Sequence, residues 1–86
     1  MLTKCTDRFV ETEIDEECVI MGMKTGDFLS LSGTGRAVWQ LIDGSRDFAA
    51  IVARLAIDYD GDEATIAGDV AALVAELREA GLVHDG

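Results

Sequence analysis

Hydrophobic periodicity changes once along this chain, at Gly33, and that change limits the folds open to it. Before Gly33, short apolar stretches are broken by Asp15-Glu16-Glu17 and by Lys24-Thr25-Gly26-Asp27, a texture of strands and turns. After it, apolar residues recur three and four apart, the period of helices. The chain has 86 residues and no proline, which suits a single domain over residues 1–86. A chain this short buries only about 60% of its unfolded surface, so a deep catalytic cleft would compete with the core for residues. These features favour a binding module over an enzyme.

Phe9 to Ile14 alternates, with Phe9, Glu11 and Glu13 on one side and Val10, Thr12 and Ile14 on the other, the pattern of a short strand. Cys18 to Met23 is rich in β-formers, and Phe28-Leu29-Ser30-Leu31 follows a Thr25-Gly26 pair, which reads as a hairpin. A two-residue turn there pairs Met23 with Phe28, Gly22 with Leu29, Met21 with Ser30 and Ile20 with Leu31. Period-two geometry then puts Ile20, Leu29 and Leu31 on one face and Val19, Met21, Met23 and Phe28 on the other. Both faces are apolar. Either the first strand or a terminus covers the second face, or Met21, Met23 and Phe28 are exposed and meet a partner.

Three helices follow. Ser32 or Thr34 caps the first, whose body is Gly35 to Ile42 with Val38, Trp39, Leu41 and Ile42 as its apolar stripe and Asp43-Gly44 as its end. A cap at Ser45 or Asp47 opens the second, with Phe48, Ile51, Val52, Leu55, Ala56 and Tyr59 on one face. The third runs from about Asp62 to Ala80 with Ile66, Val70, Leu73, Val74 and Leu77 in register, and Gly81 stops it. Leu82-Val83 then docks on the core. Three strands followed by three helices is an α+β arrangement, winged-helix-like, built on a three-stranded antiparallel sheet.

Charge and cysteine usage exclude several function classes. Seventeen acidic residues against seven basic give a formal net charge of −10, with no Lys/Arg cluster for a phosphate backbone. The third helix carries Arg78 against Asp62, Glu63, Asp69, Glu76 and Glu79. No nucleic-acid partner is expected. An anionic leaflet would repel the chain and no apolar run approaches the roughly 20 residues of a membrane span, so no membrane partner is expected either. The first fifteen residues lack the apolar middle of an export signal, which makes a cytoplasmic location the default. Cys5 and Cys18 have no CxxC spacing and no adjacent histidine, and only Cys5 has a basic neighbour, Lys4. One disulfide between neighbouring strands is geometrically possible, but two free thiols rather than nucleophiles are expected. With His84 they supply too few ligands for zinc. No metal and no cofactor is expected.

The remaining chemical motifs fail on inspection. Gly33-Thr34-Gly35 lacks the third glycine of a dinucleotide loop and the lysine of a P-loop. Asp43-Gly44-Ser45-Arg46 does not match the Asp-Ser-Leu attachment site of phosphopantetheine carriers. The carboxylates are scattered and suit a solvated surface. An edge remains. If Asp27 to Leu31 lies at the rim of the sheet, its backbone can take an extended peptide as an added strand, with the third helix as the other wall.

The run from Thr25 to Gly44, TGDFLSLSGTGRAVWQLIDG, resembles the PqqD-like family, the recognition elements of ribosomally made, modified peptides. The pattern comprises a glycine turn, an aromatic residue, Leu-Ser, a Gly-containing linker, and a helix with Val38-Trp39-Gln40-Leu41-Ile42 before Asp43-Gly44. The resemblance continues through Phe48 to Leu55, Asp69-Val70 and Leu77 to Val83, and covers about residues 8 to 83.

The resemblance implies that a precursor's leader peptide adds as a strand beside the third strand, in the groove against the third helix. The implied contact positions are Asp27, Phe28, Leu29, Ser30 and Leu31 on the strand. On the helix they are Ile66, Asp69, Val70, Leu73, Val74 and Leu77. It also implies delivery of the precursor to a separate modifying enzyme, either a radical S-adenosylmethionine enzyme or, as in split lasso-peptide maturation, a leader peptidase. The negative charge would favour a basic partner surface or a leader carrying Lys or Arg. A homodimer through Asp27 to Leu31 would compete with that ligand. The rival reading is an acidic winged-helix interaction module in transcriptional regulation, sharing the fold without the groove.

Overall fold

The computed structural model describes residues 1–23 and 26–85. In chain order it holds β1 (Leu2–Lys4), β2 (Phe9–Ile14), β3 (Glu17–Gly22), β4 (Phe28–Leu31), α1 (Gly33–Leu41), α2 (Phe48–Tyr59), α3 (Glu63–Glu79) and β5 (Val83–Asp85). The three-stranded antiparallel sheet β2-β3-β4 followed by three helices is the expected α+β fold. A second, two-stranded sheet joins β1 to β5, pairing Thr3 with His84. That sheet was not anticipated.

The hairpin register departs from expectation by two residues. Met21, not Met23, pairs with Phe28, and Ile20 pairs with Leu29. The Thr25-Gly26 turn lies partly outside the described residues, at Thr25. Gly26 adopts φ +74 and donates its amide to the Gly22 carbonyl at 2.8 Å. The connection is therefore longer than a two-residue turn, which moves the register. A shift of two preserves side-chain facing, so Cys18, Ile20, Leu29 and Leu31 share the face toward the helices.

That face closes the core. Ile20 and Leu31 pack with Val38, Trp39 and Ile42 of the α1 region, with Ile51 and Leu55 of α2, and with Val70, Val74 and Leu77 of α3. Trp39 is buried, meets Phe9 edge-to-face at 5.2 Å, and lies under the Lys4 ammonium at 4.4 Å. Its indole N–H donates to Glu11 at 2.5 Å, and the Arg36 guanidinium donates to Glu13 at 2.7 Å. Two glutamates of β2 thus hold α1 against the sheet. Asp47 caps α2 by accepting from the Ala50 amide at 2.9 Å, and Asp62 caps α3 by accepting from Ala64. Gly81, at φ +76, ends α3 where an L side chain would be strained. Phe48 and Tyr59, at the ends of the α2 stripe, remain largely exposed.

The outer sheet face is open. Val10, Met21 and Phe28 form one row across the three strands, with Val10 and Phe28 exposed and Met21 half-buried. Among the described residues neither β1 nor a terminus covers it.

Candidate functional site

The candidate site is the free side of β4. In the three-stranded sheet β4 pairs with β3 alone. The Gly22 amide donates to the Asp27 carbonyl at 3.0 Å, which fixes the phase of the ladder. Antiparallel pairs alternate between bonded and non-bonded. Asp27, Leu29 and Leu31 therefore turn their backbone groups to β3, while Phe28 and Ser30 turn theirs outward. An added strand would find two residues' worth of donors and acceptors there.

The groove beside this edge is built from both the sheet and α3. At the far end of β4, Leu31 and Leu73 converge on Gly35: a Cβ there would lie 3.6 Å from Leu31 and 3.9 Å from Leu73. At the near end a cavity of about 300 Å³ opens between β4 and the last turns of α3. Buried Ile20 and Leu82, with half-buried Leu29, supply its apolar lining. Asp27, Phe28, Glu76 and Glu79 are also among its lining residues, and all four are exposed.

The residues implied by the sequence resemblance divide in two. Asp27, Phe28 and Ser30 are exposed on the edge, Leu29 and Leu73 are half-buried beside it, and Asp69 is exposed on α3. Leu31, Ile66, Val70, Val74 and Leu77 are buried in the core, the last four at 9%, 0%, 3% and 0% exposure. They support the wall from behind. Glu76, Glu79, Ala80 and Leu82 line the cavity and were not among the expected positions. Glu76 and Glu79 lie on the flank of α3 beside its apolar stripe, and Ala80 and Leu82 lie at and beyond its end, so hydrophobic periodicity gives no signal for them.

Among the described residues no catalytic arrangement accompanies the groove. Cys18 is buried, its thiol donates to Glu11 at 3.3 Å, and burial followed by the Glu11 carboxylate pushes it up to about 11. It is a poor nucleophile at neutral pH. A separate cavity of about 430 Å³ is lined by Cys5, Arg8 and His84 among others. Among the described residues no hydrogen bond links Cys5 to His84, and no cluster of three His, Cys, Asp or Glu could hold a metal ion. No described helix is long and apolar enough to cross a membrane.

Comparison with known proteins bears on family and fold. Residues 17–83 match the family profile described as coenzyme PQQ synthesis protein D (PqqD). A PqqA binding protein of Rhodopseudomonas palustris (strain TIE-1) is 44% identical over 48 residues, covering 56% of this chain and 47% of that protein. One from Gluconobacter oxydans (strain 621H) is 35% identical over 54 residues, covering 63% of this chain and 56% of that one. The chain's matches thus span about half the length of these curated relatives. Among solved structures, TbiB1 in complex with the TbiA(beta) leader peptide superposes with a TM-score of 0.84 at 25% identity, covering 98% of both chains.

Proposed function

The chain belongs to the PqqD family, and on that premise we propose that it binds the leader of a ribosomally synthesised precursor peptide by β-strand addition along β4. The observation that carries this reading is the outward backbone of Phe28 and Ser30 on an edge facing a groove with an apolar floor. Main-chain bonds give general affinity, and side-chain pockets give selectivity. The similarity to a protein solved with a leader peptide supports the same occupant.

Binding serves delivery. A leader held here raises the effective concentration of the core peptide at a separate radical S-adenosylmethionine enzyme or leader peptidase, so the rate rises without chemistry in this chain. Residues 1–86 act as one non-enzymatic recognition domain in natural-product biosynthesis. A cytoplasmic setting suits its two free thiols. The rival regulatory reading gains nothing from α3, whose Arg78 is engaged by Asp85.

Fluorescence anisotropy of a labelled leader peptide from the precursor encoded with this chain tests the proposal. Saturable micromolar binding supports it. Absence of binding at about 100 μM protein, far above the affinity of a specific peptide groove, overturns it.

A further inference from the structure

We propose that the cavity where β4 meets the end of α3 is a subsite for one lysine or arginine side chain of the bound peptide. The inference rests on the leader-binding reading and adds to it a chemical identity for one anchor.

Size, lining and charge converge on that occupant. About 300 Å³ is the lower limit of ligand pockets, which suits one long side chain. Its lining combines two chemistries. Buried Ile20 and Leu82 with half-buried Leu29 offer apolar surface, and exposed Glu76 and Glu79 bring carboxylates from one side of α3. An aliphatic or aromatic anchor would use the first and leave the second unused. Lysine and arginine use both, laying an apolar stem along a greasy wall and keeping the charged head at the wet end.

The carboxylates are available for this. None of the ion pairs among the described residues engages Glu76 or Glu79. The nearby cation of the same helix, Arg78, is held by Asp85 of β5. The chain's net charge of −10 adds a favourable field for a basic side chain. Position matters as well: the cavity touches Asp27, Phe28 and Leu29, so a side chain entering it projects from a strand paired at the start of β4. The preference should therefore appear at a single register position.

A display library of random peptides about twelve residues long, selected on the whole protein and eluted by competition with a labelled β4-binding peptide, tests this. The same library is selected in parallel on a Glu76→Lys/Glu79→Lys variant. Lysine in the last turns of a helix complements its dipole, so the variant should fold, as circular dichroism can verify. A Glu76→Gln/Glu79→Gln variant serves if it does not.

The expected result is enrichment of Lys or Arg at one position on the parent. On the charge-reversed variant that preference should vanish or invert to Asp or Glu. Replacing the selected lysine by methionine, which keeps the stem and loses the charge, should weaken binding by about fivefold to tenfold on the parent, an effect that shrinks as salt is raised. β4-competitive peptides without a basic preference would overturn the subsite and leave the edge reading intact. A basic preference that survives in both variants would also overturn it. Failure to enrich any β4-competitive peptide would overturn both.

Discussion

The amide of Gly22 donates to the carbonyl of Asp27 at 3.0 Å, and this bond decides which half of β4 is available to a ligand. It makes Gly22 and Asp27 a bonded pair, so the next bonded pairs are Ile20 with Leu29 and Cys18 with Leu31. Phe28 and Ser30 fall between them. The hairpin thus presents its free backbone at the residues whose side chains are exposed, and keeps Leu29 and Leu31 facing the helices.

Phe28 separates binding from stability. It is 72% exposed, so Phe28→Ser should change unfolding free energy by no more than about 0.5 kcal/mol. The same substitution removes a large apolar side chain from the outer face of β4, beside the edge where a leader would pair, and should weaken leader binding severalfold. Denaturant titration and anisotropy on one preparation check both. A loss of several kcal/mol in stability would mean that Phe28 belongs to the core.

Trp39 should dominate the stability of α1 against the sheet. Trp39→Ala removes a side chain that is 1% exposed and should cost about 3–5 kcal/mol. Trp39→Phe keeps most of the packing and loses the bond to Glu11. It should cost about 1–2 kcal/mol, because an exposed carboxylate regains water. Urea unfolding followed by circular dichroism measures both.

Cys18 should resist alkylation while the protein is folded. Its folded pKa is raised from 9.0 to about 11, chiefly by burial, so near pH 8 only about one molecule in a thousand carries the thiolate. Because the pKa is raised, the associated stability is fully present below pH 9.0 and is lost as pH climbs through about 11. Mass spectrometry after iodoacetamide should find Cys18 unmodified until denaturant is added. Rapid native labelling at Cys18 would contradict its placement against Glu11.

The sequence carried the face assignments better than the pairings. Ile20, Leu29 and Leu31 were legible as one face because side-chain alternation survives any even shift of register. The register itself was not, since it depends on the turn, and Gly26 folds back to Gly22 where Thr25-Gly26 suggested a tighter reversal. β1 and β5 were missed for another reason. Three residues are too few to show alternation, and the pairing of Thr3 with His84 joins distant parts of the chain.

The groove shows a similar split. The apolar stripe of α3 identified Val70, Val74 and Leu77 correctly as buried, and burial places them in the core rather than on the wall. The residues that line the cavity, Glu76 and Glu79 with Leu82, lie beside the stripe or beyond the helix end. Hydrophobic periodicity selects the core face of a helix; a helix flank that meets a ligand carries no such pattern.

Ser30→Pro tests the central claim most directly. The Ser30 amide turns away from β3, so proline there removes a donor that only an added strand would use and keeps the β3–β4 ladder. Titrating labelled leader peptide with the parent and with this variant should show at least a tenfold loss of affinity. Circular dichroism and the unfolding midpoint should stay close to those of the parent. Undiminished binding by a folded Ser30→Pro protein would contradict strand addition at β4.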